Sequence, residues 1–508
     1  MTAIERGQQH TPQAHSGFGR VVLVAVVVLA VIAAGSLLVS EAPLFMVAAV
    51  LMLPVIMAVL TWPDAATLVT IFILYSNLAV VAVRFHNVPF LLGAAFPLLL
   101  GIPLTVHLVV RRRELIFTPA FPFLLLFLFV QFLGALFSRD VEQAFSELTV
   151  FIIEGLVIYF LITNVVRTPR LLSRVVWILL LAGFLLAVIP IYQQVTGDFD
   201  NIYGGLAQTS ERGFRTGAET LFGDVRQPRL AGAIGEQNRF AQVLLMLVPL
   251  GLFHFWGTGE RSLPLRLLAL LATAVITTSV VLTFSRGAAV GFLVMVLAMT
   301  FMRIIKPYQL LAILLGAALL LALLPQYGTR LASLQSLSSF LSQEENVDDG
   351  ILESRSTEML AALMVFADHP VIGVGPGMFK FYSEEYGNRI NPGVLEGTRE
   401  AHSLFPDVAA NHGILGLVAF TGIFAATLFE LLRMRQRVAH SKPEMVSMLN
   451  GFALAIVTYL ATGLFLHLSY ARFLWLMLAL AGAAGMIARN VEEKHSDVIA
   501  IQSEGGAQ

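Results

Sequence analysis

A few side chains in an otherwise apolar chain are suited to chemistry. Arg286 lies in Thr283-Phe284-Ser285-Arg286-Gly287, between two apolar runs that leave almost no loop. A cation at that depth is costly without an anionic partner. It either snorkels to lipid phosphates at the interface or clamps an anion at the membrane surface. Arg212, Arg215, Arg226 and Arg229 gather ahead of a later apolar run, with Arg239 at its mouth in Gly235-Glu236-Gln237-Asn238-Arg239. The segment contains arginine and no lysine, and the guanidinium fork matches phosphate oxygens in two-point contacts that lysine cannot make. Any one of these arginines can pair with Glu211, Glu219, Asp224 or Glu236; as a group they point to phosphate or diphosphate recognition. His402, in Ala401-His402-Ser403-Leu404-Phe405, is of the residue type whose unperturbed pKa suits proton abstraction, although an exposed histidine is often incidental. Glu154, in Ile152-Ile153-Glu154-Gly155-Leu156, is a carboxylate within an apolar run. Such an acid marks a functional site or an ion pair that serves packing.

Arginines together can bind a phosphate or diphosphate, and a histidine can act as a general base. No metal motif accompanies them. The acidic stretch Glu344, Glu345, Asp348 and Asp349 lacks the spacing of a calcium loop, and no histidine pair stands at ligand spacing outside the apolar runs. Gly373-Val374-Gly375-Pro376-Gly377 has no Lys-Ser/Thr after it and is not a nucleotide loop. His369, before Pro370, reads as part of a turn. Cysteine is absent, which excludes disulfides, iron–sulfur clusters and thiolate zinc sites.

The elements that must hold these residues are membrane helices. Of 508 residues, 57% are hydrophobic and 13% charged, against about 25% charged in soluble domains, and the mean hydropathy is +0.80. Runs of about 20 apolar residues suffice to cross the bilayer. They occur at Val21 to Ser40, Pro43 to Trp62, Ala65 to Val83, Val88 to Val110, Pro119 to Phe137, Leu148 to Val166 and Val175 to Gln193. They resume at Asn238 to Trp256, Leu267 to Thr283, Gly287 to Met302, Leu310 to Leu324, Gly413 to Leu432, Val446 to Leu468 and Phe473 to Ala488. An all-α polytopic membrane protein of about fourteen spans is expected, twelve if neighbouring pairs merge. The first run is too long for a cleaved signal peptide and reads as a retained helix.

Basic residues in short connections set the orientation. With the N-terminus inside, the inner ends receive Arg111 to Arg113, Arg167, Arg170, Arg174, Arg433 and Arg489, and short outer connections keep Arg84, Arg139, Arg286 and Arg472. The expected organisation begins with a cytoplasmic tail over 1–20 and a bundle of about seven helices over 21–193. A catalytic region over 194–432 follows, with outer loops 194–237 and 326–412, then helices over 433–488 and a cytoplasmic tail over 489–508. The second loop opens on Leu331, Leu334, Leu337, Phe340 and Leu341, the spacing of an amphipathic surface helix; another helix is expected over Glu353 to Asp368. The net charge of −1 gives no sign of a nucleic-acid partner.

The order of the pieces is the most specific signal. Arg229-Leu230-Ala231-Gly232 is followed by Glu236-Gln237-Asn238, then Ser285-Arg286-Gly287, then His369-Pro370-Val371-Ile372-Gly373, and then His402 with Gly413-Ile414-Leu415-Gly416. Over about Gln193 to Leu432 this resembles the bacterial O-antigen ligase and polymerase family. The resemblance implies a GT-C-like glycosyltransferase of the inner membrane with its active site on the periplasmic face. Its donor would be an undecaprenyl-diphosphate-linked glycan and its acceptor a lipid A-core or growing glycan, with no cofactor. His402 falls at the position of the family's proposed base, and Arg286 and Arg229 at those of its diphosphate arginines. Arg212, Arg215, Arg239, Asn238 and Glu154 are further candidates for substrate contact. Ser403, Pro406 and Asn411 depart from the residues usual there. A ligase, a repeat-unit polymerase and a protein O-oligosaccharyltransferase share this chemistry. A transporter or flippase is the alternative of another class; the concentration of ionisable residues at one face argues against it.

Overall fold

A backbone within lipid has no water to bond, so apolar segments close their hydrogen bonds as helices. The computed structural model describes residues 62–220, 223–257, 262–323, 349–439, 441–466 and 471–505. The helices are α1 Pro63–Tyr75, α2 Leu78–Phe85, α3 Leu92–Val110, α4 Phe121–Leu136, α5 Val141–Val165, α6 Pro169–Thr196, α7 Gln237–Trp256 and α8 Leu263–Leu282. They continue with α9 Arg286–Phe301, α10 Pro307–Leu323, α11 Asp349–Asp368, α12 Ser383–Ile390, α13 Leu404–Arg437, α14 Pro443–Gly463 and α15 Arg472–Gly505. Each expected span from Ala65 onward coincides with one of these helices, except the first, which is α1 and α2 bent by 58° at their junction. Among the described residues eight helices are long and apolar enough to cross a membrane, nine if the bent pair is one span, and α4, α9 and the first part of α10 are shorter apolar helices. The span expected at Val21 to Ser40 lies outside the described residues, as does all of the next, Pro43 to Trp62, except its final residue. The surface helix at Leu331 to Leu341 and the acidic stretch up to Asp348 also fall outside them.

The all-α expectation is corrected in one place. Gln208–Thr220 (β1) and Gly223–Gly232 (β2) form an antiparallel two-stranded sheet, with Ser210 opposite Arg229 and Arg215 opposite Arg226. The segment reads from sequence as loop because it is polar at almost every position and lacks the apolar alternation of a half-buried strand. Its strands instead satisfy each other's backbones.

Helices α7, α14 and α15 are buried along most of their length, whereas α3 and α8 turn much of their surface outward. Small residues permit that centre. Gly451 of α14 lies against Leu250 of α7, Gly291 of α9 against Thr462 of α14, and Gly485 of α15 against Glu430 of α13. Burying apolar surface gains little between helices in lipid, so close van der Waals approach takes its place.

Contacts sort the connections onto two ends. At one, Arg174 meets Asp64, Ile116 meets Asn164, and Arg435 meets Met302. At the other, His86 meets Gly204, Asn77 meets Ala233, Arg229 meets Thr283, and Leu404 packs on Gly463.

The second end is organised by a break in α13 at Gly413 (φ 62°, ψ −165°). Residues 370–375, which follow α11, lie across the break as a strap. Val374 N–H donates to Ala410 O (3.0 Å) and Gly375 N–H to Asn411 O (2.9 Å), while Pro370 O and Val371 O accept from the N–H groups of Ile414 (2.7 Å) and Leu415 (3.3 Å). Asn411 Oδ1 also accepts from Phe379 N–H at 2.9 Å. The strap can approach so closely because Gly373 (φ 67°) and Gly413 lack a Cβ. On Gly373 it would collide with the backbone of Asn411 and His412, and on Gly413 with that of Val371. A small apolar core, including Val365 of α11, Val374, Phe379, Ala410 and Leu148 of α5, packs around the strap.

Gly413→Ala is expected to lower the melting temperature of the detergent-solubilised protein, since forcing an atom into a tightly packed site costs about 1–3 kcal/mol. Gly316→Ala, whose added Cβ meets no atom within 4 Å, should leave it unchanged. Equal melting of the two variants would exclude the strap as a constraint.

Candidate active site

At this end the turn between α8 and α9 presents Arg286. Ser285 caps α9, its hydroxyl accepting from Ala288 N–H at 3.3 Å, and Arg286 is the first residue of the helix, half-buried. Phe284 has φ 52°, unusual for a bulky residue. Arg229 holds it there. The Nε–H of this buried arginine donates to Thr283 O (2.9 Å), and Nη2 donates to Phe284 O (3.4 Å) and Asn238 Oδ1 (3.0 Å). It occupies the C-terminal end of α8, where carbonyls lack helical partners and a cation is favoured.

Asn238 is oriented in turn by Glu236, the N-cap of α7. Glu236 Oε1 accepts from the backbone N–H and the Nδ2 of Asn238, both at 3.0 Å, and Oε2 from Arg239 N–H at 2.7 Å. The Glu236-Gln237-Asn238-Arg239 motif is therefore a capping device that aims Asn238 at Arg229. Arg239 is buried, and its charge acts on Glu400.

His402 stands just before α13, with φ 25°. Its Nδ1 lies 2.7 Å from Oε2 of Glu358 on α11 and 3.2 Å from Glu400 O. The Glu358 side chain is 1% exposed and that of His402 33%. A carboxylate on Nδ1 draws the ring proton to that nitrogen and leaves Nε2 of the neutral ring as an acceptor. This is the arrangement of a base oriented by a third group. Ser354 Oγ approaches Oε1 of Glu358 at 3.4 Å.

Glu358 is absent from the candidates read from sequence, yet a signal was there. Glu358, Ala361, Ala362 and Val365 follow the i, i+3, i+4, i+7 stripe of a buried helix face, and all four are buried. A carboxylate at a core position needs a partner.

The end of α14 links the two halves of the site. Gly463 contacts Leu404, two residues beyond His402, and Phe465 contacts Gly287, next to Arg286.

Glu154 sits in a π-helical segment of α5, Phe151–Val157, and pairs with Arg472 at 3.6 Å. Arg472 Nη2 donates to Asn77 Oδ1 at 2.6 Å, and Asn77 Nδ2 to Ala233 O at 2.8 Å. Glu154 also lines a cavity of about 480 Å³ together with Glu147, Glu400, Asp407 and Arg472. Burial pushes the Glu400 carboxyl above its usual range; Lys380 opposes the shift, Glu147 adds to it, and Arg239 and His402 oppose it further. Arg212 and Arg215 lie on β1, but their side chains are outside the described residues. His369 packs edge-on against Tyr382. Among the described residues no group of three or more His, Asp or Glu is placed to hold a metal ion.

No curated protein matches the chain. Residues 268–421 match the family model described as O-Antigen ligase, a stretch that contains Arg286, Glu358, the strap, His402 and the break at Gly413. Over this stretch, under a third of the chain, the protein is similar to the O-antigen ligase family of polysaccharide biosynthesis.

Proposed function

We propose that the protein transfers a glycan from an undecaprenyl-diphosphate-linked donor to a hydroxyl of an acceptor sugar at the outer face of the bacterial inner membrane, with both termini cytoplasmic. The observation that carries this reading is the His402–Glu358 pair, 2.7 Å apart, at the same end of the bundle as the turn that carries Arg286. In the reaction the acceptor oxygen attacks the anomeric carbon and its proton passes to His402 Nε2. The bond from that carbon to the diphosphate breaks, and the electron pair leaves on the diphosphate oxygen. Arg286 offsets the charge gained there. Arg229 contributes positive charge and, through Thr283 and Phe284, fixes the direction in which Arg286 points. Glu358 holds the imidazole ring and stabilises its charge once it is protonated. The apolar helix surfaces beside the turn suit a polyprenyl tail. A lipid A-core acceptor makes the enzyme a ligase and a second lipid-linked glycan makes it a polymerase, by the same chemistry.

Reconstitution with a lipid-diphosphate oligosaccharide tests the reading. His402→Ala should lower transfer by about 10²- to 10⁴-fold, the usual worth of a general base, and should leave donor binding intact. Wild-type transfer by this variant would exclude the proposed base. A single shifted product band would identify a ligase, and a ladder of lengths a polymerase.

The two arginines should separate by stability. Arg286→Ala, at a half-buried position, is expected to weaken donor binding and transfer with a smaller change in melting temperature than Arg229→Ala. Arg229→Ala should reduce transfer and also destabilise the fold by about 1.5–3 kcal/mol, the scale of a lost hydrogen bond to a charged group. If Arg229→Ala melted like the wild type, its hold on the turn would be unimportant.

A further inference from the structure

The 480 Å³ cavity beside the site contains more polar chemistry than the transfer step uses. Gln131 and His412 both line it, and they are 4% and 7% exposed. Gln131 Nε2 and His412 Nδ1 have no hydrogen-bond partner among the described residues. Buried polar atoms are nearly always bonded, so two unbonded ones on side chains that line one cavity point to a hydroxyl-rich ligand there. Phe127, Phe151 and Trp475 supply apolar wall, and the volume lies within the range of about 300–1,000 Å³ for small-molecule pockets.

We propose that this cavity is the acceptor-saccharide subsite and that it admits neutral sugars in preference to uronic acids; the acceptor assignment rests on the glycosyl-transfer reading. The position argues for the acceptor. Glu400 lines the cavity and stands two residues before His402, whose ring its carbonyl contacts at 3.2 Å, so the cavity adjoins the segment that carries the base; His402, Arg229 and Arg286 are themselves not among the lining residues. The charge argues for neutrality. Glu147, Glu154, Glu400 and Asp407 face the cavity. Their cationic neighbours include Lys380, paired with Glu147, Arg472, paired with Glu154, and Arg239, whose charge acts on Glu400, so carboxylates still outnumber them. Carboxylates accept hydrogen bonds from sugar hydroxyls and repel a uronate in a water-poor site.

Saturation-transfer NMR on the full-length protein in detergent tests this without any donor. The probes are methyl glycosides of glucose, galactose and N-acetylglucosamine, set against the methyl glycosides of glucuronate and galacturonate. At least one neutral glycoside should bind, with its uronate or the glucuronate about tenfold weaker or worse. Gln131→Leu, close to isosteric, should weaken the neutral ligand up to about tenfold at unchanged melting temperature. Glu147→Gln, at a half-exposed position, should narrow the discrimination against uronates. Equal binding of neutral and acidic sugars, no binding of any, or no response to either variant would overturn the subsite. Saccharide binding by a wild-type protein that transfers nothing would remove the transfer reading and with it the acceptor role. Transfer with an acceptor KM unmoved by Gln131→Leu would remove the subsite alone.

Discussion

The break in α13 is the constraint on which this end of the molecule depends. At Gly413 the helix leaves carbonyls and N–H groups without internal partners, a state that costs several kcal/mol per group in a hydrocarbon-like interior. The strap at 370–375 supplies those partners, and in doing so it pins the end of α11 to α13. Both helices run toward the pinned point. Glu358 lies ten residues before the end of α11 and His402 eight residues before Ala410, about 15 Å and about 12 Å back at helical rise. Two elements fixed at one point and packed side by side from there bring these residues opposite each other. The 2.7 Å contact between His402 and Glu358 is thus set by backbone bonds at a distance from it, which is how a site gains geometry that its own side chains could not enforce.

Charge is distributed on the same principle. At the opposite end Arg489 closes on the buried Glu430 at 2.6 Å, a pair complete in itself. At the site end Arg229 is spent on backbone carbonyls and Arg472 bridges Glu154 and Asn77. A cation in a low-dielectric rim is tolerable only where such partners exist. Arg286 is half-buried at the first position of α9. In the proposed reaction a guanidinium held there by a capped helix start, on a turn clamped from behind by Arg229, would meet the donor diphosphate with little rearrangement.

Much of the fold was legible from composition alone, because a bilayer-length apolar run has few alternatives to a helix. The β-hairpin was not: neither apolar alternation nor a run of β-branched residues marks its strands. Arg286 could be singled out because it is a lone ionisable residue between apolar runs, and His402 because it is a histidine just ahead of one. Glu358 is harder to single out, because an acid on a helix within a polar outer segment looks solvated until the neighbouring Ala361, Ala362 and Val365 are recognised as one buried face. Glu154 was visible as an intramembrane acid, but its partner Arg472 lies more than 300 residues away, and no local pattern carries that pairing. The glycines of the strap read as a turn; their reason, the absence of room for a Cβ against the broken helix, belongs to the tertiary structure.

The matched segment 268–421 holds Arg286, Glu358 and His402, yet it does not make a site by itself. The carbonyls of Thr283 and Phe284 are satisfied by Arg229, the orientation of Asn238 by Glu236, and the approach of Gly287 is to Phe465; all of these partners but the turn itself come from outside the segment. Removing them would leave the end of α8 with unpaired carbonyls and Phe284 without the contact that holds its positive φ. The strap shows the same dependence, since Gly375 lies against Gly134 of α4 and Gly377 against Glu147 of α5. The elements before and after the family segment therefore do more than anchor it. They complete its hydrogen bonds, and the working unit is the whole bundle.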